Sequence, residues 1–94
     1  MSEPEKILEE ASVLIGGPRA KQHGDYRLMH KRVAELWSIY LKVKVTPEQV
    51  AFCMTLLKVA RADFGARNPD DGLDATAYTA LWAALTDIVK NETS

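Results

Sequence analysis

The chain predicts an all-α fold, a compact bundle of about four helices in one domain spanning residues 1–94. Three observations carry that expectation. Apolar residues recur at helical spacing in four separate segments, three short loops rich in Gly, Pro, Asn or Asp punctuate them, and no alternating run competes for a strand. Ninety-four residues leave no room for a second core.

The first helix is expected over about 4–15, with Ser2 as a candidate cap and Gly16-Gly17-Pro18 as the stop. Ile7, Leu8, Ala11, Leu14 and Ile15 share one face. The second is expected over 25–42, with Tyr26, Met29, Val33, Leu36, Trp37 and Tyr40 as its stripe. Leu28 and Ile39 fall together on the far side, a secondary apolar patch that suggests self-association. The third, over 47–63, has the plainest start: Thr46 to cap, Pro47 at the first helical position and Gln49 at the third. Its stripe is expected to be Val50, Cys53, Met54, Leu57 and Ala60. The fourth, over 72–90, presents Leu73, Ala77, Tyr78, Leu81, Ala84, Leu85 and Ile88.

Composition excludes several function classes. A net charge of −1 lacks the basic excess of a nucleic-acid coat, so any positive patch is local. The longest apolar runs fall far short of the roughly 18 residues of a membrane span, and no leader pattern opens the chain. The lone cysteine, Cys53, forms no internal disulfide, which fits a reducing, cytoplasmic setting.

Charged residues on apolar faces are the chemical signal. At 100° per residue, Arg61 falls within the apolar arc of the third helix and Lys58 on its shoulder. Asp74 falls within the arc of the fourth, with Asp71 one turn earlier near the same edge. Two cations and two carboxylates are thus expected to face one interior. The structural reading is a clasp between helices, with Asp71 also suited to a helix N-terminus. The functional reading is an anion site. Arg19, Lys21 and His23 precede Gly24-Asp25-Tyr26 at the start of the second helix, where backbone amides and cations can hold a phosphate. Tyr26, Trp37, Tyr78 and Trp82 offer flat surfaces for a base, although their spacing also suits a core. His30 reads as structural, and Arg67 as a solvated loop arginine before it reads as one that reaches a ligand.

The strings RAKQHGDY, AELWSIYL, LLKVAR and DDGLDATAY together resemble a family of small phage and prophage proteins of unknown function. The resemblance spans nearly the whole chain and carries over Arg19, His23, Gly24, Asp25, Lys58, Arg61, Asp71, Asp74 and Tyr78; it implies a phage or prophage origin. More distantly, the Asp71-x-x-Asp74 helix is similar to half of the MazG-type all-α nucleoside triphosphate pyrophosphohydrolases, whose paired acidic helices hold Mg²⁺ against phosphates. The other acidic half has no counterpart here: Glu5, Glu9 and Glu35 lie on polar faces. Three functions follow. The first is a nucleotide-binding protein without turnover, an anti-defence sponge that sequesters a nucleotide or cyclic nucleotide signal, with Arg19, His23, Tyr26, Lys58, Arg61, Asp71, Asp74 and Tyr78 as ligand-binding residues. It needs no metal or cofactor and is expected to be a homo-oligomer. The second is a Mg²⁺-dependent pyrophosphohydrolase with Asp71 and Asp74 on the metal. The third is a protein-interaction module that inhibits a host protein.

Overall fold

The computed structural model describes residues 3–17, 24–64, 68 and 70–93, the side chains of 89, 92 and 93 excepted. The described residues form four helices: α1 (Glu3–Gly16), α2 (Tyr26–Leu41), α3 (Pro47–Ala62) and α4 (Asp70–Thr93). The described residues contain no strand.

Local chemistry sets the helix ends. Val13 O accepts from Gly17 N–H at 2.7 Å as α1 closes, and a Cβ at Gly17 would collide with that carbonyl oxygen, so glycine is required there. Gly24, at φ 78°, turns the chain into α2. Asp25 then caps α2, its Oδ1 accepting from Arg27 N–H at 2.8 Å. Lys42 ends that helix in the left-handed conformation, at φ 59°. Ser38 fastens the link that follows: its hydroxyl donates to Ala34 O at 2.7 Å and accepts from Val45 N–H at 2.8 Å. At the start of α3, Thr46 N–H donates to Gln49 Oε1 at 3.0 Å, one half of a capping box. Asn68 opens α4, its Oδ1 accepting from Asp70 N–H at 3.0 Å and its carbonyl from Asp71 N–H at 3.1 Å.

The helices pack in the spatial order α1, α4, α3, α2, with α3 and α4 forming the most extensive pair. That pair is antiparallel and in clear register. Lys58 meets Asp74, Thr55 Oγ1 lies 3.2 Å from Thr79 Oγ1, and the Phe52 and Trp82 rings stand 5.3 Å apart at 55°. Ion pair, hydroxyl pair and aromatic pair follow one another a turn apart along the seam.

Small residues dominate the buried apolar set: Ala11, Ala34, Val50, Ala51, Ala77 and Leu85. This rotates two helices away from their expected orientation. On α3 the packed positions are Val50, Ala51, Met54, Thr55 and Lys58, whereas Cys53, Leu57 and Ala60 face solvent. On α2 they are His30, Val33, Ala34, Trp37 and Ser38, whereas Leu36 and Tyr40 are exposed. Both shifts have one cause. Alanine, serine and threonine let backbones approach closely, and that close packing outweighs burying the larger side chains on the adjoining face. On α1, Ala11 is buried and Leu14 and Ile15 partly so, but Ile7 and Leu8 remain exposed because α1 meets α4 mainly through its later turns. The expected stripe of α4 coincides with its packed face.

Candidate functional site: a cleft with a partly buried ion pair

Because α1 and α2 pack on opposite partners of the α3–α4 pair, the end of α1 and the start of α2 leave space between them. A cleft of about 640 Å³ opens there, within the range typical of small-molecule sites. Leu14 and Ile15 line it from α1, and Tyr26, Met29 and His30 from α2. Lys58 lines it from α3, and Asp74, Ala77, Tyr78 and Leu81 from α4. Gly24, Asp25 and Arg27 complete the rim.

The ion pair is the chemical centre. Lys58 Nζ lies 3.2 Å from Asp74 Oδ2, with the side chains 16% and 28% exposed. Such an enclosed pair is screened less than a surface one, yet each partner still reaches open space. Tyr78 follows Asp74 by four residues and so stands one turn along the same face of α4. Across the cleft, Tyr26 carries the Arg27 guanidinium 5.8 Å from its ring centroid, a cation–π contact. Arg27 Nε also lies 3.5 Å from Asp25 Oδ1. His30 is the largest fully buried side chain among the described residues, and its Nδ1 is 2.8 Å from Tyr26 O. A carbonyl only accepts, so Nδ1 is the donor.

The cleft gathers Tyr26, Lys58, Asp74 and Tyr78 of the expected binding residues. Asp71 is buried at 4% exposure but is not part of the lining. Arg61 corrects the sequence reading: it is exposed and outside the cleft. It lies in the last turn of α3, one turn beyond the Lys58–Asp74 layer. The start of α2 is also not an open anion site. Asp25 accepts from the Arg27 amide and lies beside the Arg27 side chain, so the chain's own carboxylate serves both. Arg19, Lys21, His23 and Arg67 lie outside the described residues. Trp37 and Trp82 line a separate apolar groove with Leu41 and Phe52. Arg27 on the rim was not foreseen, and His30, read as structural and indeed buried and hydrogen-bonded, was not expected to line the cleft as well. Its signal was its position one residue from Met29, on the side of α2 that Ala34 and Ser38 bring against the bundle. Among the described residues, no group of three or more His, Cys, Asp or Glu is placed to hold a metal ion. No described helix is long and apolar enough to cross a membrane.

Fold and cleft define a class: a small all-α domain whose end-on cleft combines tyrosines, an apolar wall and one enclosed ion pair. The chain belongs to the family described as domain of unknown function DUF6378, whose sequence profile matches residues 6–86. It is 40% identical over 76 residues to the Gene 55 protein of Mycobacterium phage L5, an alignment covering 80% of this chain and 49% of the phage protein. It is 39% identical over 74 residues to the Gene 55 protein of Mycobacterium phage D29, covering 79% and 49%. The chain thus spans about half the length of the curated relatives it matches. No solved structure matches it. The expected small phage family of unknown function is therefore the right one.

Proposed function

We propose that the cleft binds a phosphate-bearing nucleotide or cyclic nucleotide and holds it without turnover. The observation that carries this reading is the Lys58–Asp74 pair, enclosed by the helices yet open to a cleft flanked by Tyr26 and Tyr78. Described charges at the cleft balance, with Lys58 and Arg27 against Asp74 and Asp25. A bare anion gains little at such a site, because it must compete with a carboxylate already in place. A ligand with both an anion and hydrogen-bond donors gains more. Its phosphate takes Lys58 Nζ while a base or sugar N–H or O–H donates to Asp74. Tyrosine rings offer stacking or edge contacts to a base, and Leu14, Ile15, Met29 and Leu81 supply apolar area. In a phage setting, such a protein made in quantity would draw down a nucleotide signal of the host by mass binding.

Mass spectrometry of small molecules released by heat from the purified protein tests the reading. An intact nucleotide, absent from protein carrying Tyr78→Ala, is the expected result. Incubation with a panel of nucleoside triphosphates and Mg²⁺ tests the lack of turnover. Release of monophosphate and pyrophosphate, abolished by Asp74→Ala, would replace sequestration with hydrolysis.

A further inference from the structure

The outward face of α3 carries a second feature, independent of what the cleft holds. Gln49, Phe52, Leu56, Val59 and Asp63 follow one another at intervals of three, four, three and four residues, and all five are exposed. This is the spacing of a helix-pairing seam. Phe52 retains 39%, Leu56 52% and Val59 53% of their accessible surface. We infer that this face pairs with the same face of a second copy, antiparallel about a two-fold axis through Leu56.

Two observations select a second copy as the occupant. The first is self-complementarity. The seam is apolar at its centre and polar at its ends, and it reads symmetrically about Leu56. In an antiparallel pairing Leu56 meets its own counterpart and Phe52 meets the partner's Val59. Gln49, an amide donor, then meets the partner's Asp63, a carboxylate acceptor. A two-fold interface requires this property, residue i facing j while j faces i. The second is continuity of apolar surface. The groove of about 420 Å³ between Phe52, Trp82, Trp37 and Leu41 flanks the seam and continues its apolar surface.

Size-exclusion chromatography with light scattering from micromolar to millimolar protein tests the assignment. The wild type is expected to be a dimer, and Leu56→Glu, which places two carboxylates against each other on the axis, to weaken association by about a hundred-fold or more. Leu56 is half exposed in the single chain, so unchanged helicity by circular dichroism is expected of this variant. Ile39→Glu, on the far side of α2, should leave the dimer intact. In a Cys53→Ser background, Leu56→Cys should form a disulfide between copies under mild oxidation and Ile39→Cys should not. A wild type that stays monomeric overturns the proposal. So does a dimer that survives Leu56→Glu, dissociates with Ile39→Glu, or fails to cross-link at position 56.

Discussion

Lys58 and Asp74 illustrate how an ion pair's surroundings decide what its removal costs. At 16% and 28% exposure the pair lies between the exposed case, which contributes little, and the buried one, whose disruption strands a charge. Lys58→Met alone is expected to lower unfolding stability by about 2 kcal/mol, between those limits. The double variant Lys58→Met, Asp74→Leu should lose less than either single change, because nothing charged is left behind. Urea denaturation of the four proteins in the cycle checks this, and a double loss equal to the sum of the singles would refute it. His30 makes a stronger demand. It is buried to 1% exposure and bonded to the Tyr26 carbonyl, so His30→Ala both opens a cavity and removes a side-chain hydrogen bond. A loss of about 3 kcal/mol is expected by the same denaturation measurement; a loss under about 1 kcal/mol would show that its packing contributes little.

At the scale of the elements, the caps should yield to single substitutions. Asp25→Ala removes the acceptor for the Arg27 amide and is expected to cost about 1 kcal/mol. Lys42 holds a left-handed conformation that disfavours a side chain, so Lys42→Gly should raise stability by about 0.5–1 kcal/mol. Thermal unfolding of both variants checks the opposite signs. Two of the ends were legible from the sequence because caps are local: Thr46-Pro47 before α3 and the glycines after α1 act on backbone groups within a few residues, whereas Asp25 was read as the first residue of the second helix and turns out to be its cap. Helix orientation was not fully legible. α3 is apolar on most of its circumference, so the largest side chains suggested a packed face a quarter-turn from the real one. The choice fell instead on Ala51, Thr55 and Lys58, which suit close approach to α4, and that depends on a partner helix no periodicity reveals. Arg61 was misplaced for a related reason. Angular position says which way a residue points, but not whether the packing around it covers it.

For the whole molecule, the same small-residue packing accounts for both surfaces of interest. Helices drawn together through alanines leave their larger side chains outside, some around the cleft and some on the outer face of α3. The pairing of Lys58 with Asp74 was legible as an inward charge pattern, whereas the cleft itself was not, because it depends on how the end of α1 and the start of α2 sit around the α3–α4 pair. A ligand held there must stabilise the fold by mass action. At a hundred times its Kd it adds about 2.7 kcal/mol, roughly 10–20 °C in Tm for a domain of this size. Sulfate, lacking donors for Asp74, should produce no such shift. Isothermal titration of mono-, di- and triphosphate nucleosides and of cyclic mono- and dinucleotides into the wild-type protein, with EDTA present, tests the cleft most directly. At least one nucleotide should bind saturably with one equivalent per chain, and bind at least about tenfold more weakly to Tyr78→Ala. Absence of saturable heat across the whole panel would contradict nucleotide binding at this cleft.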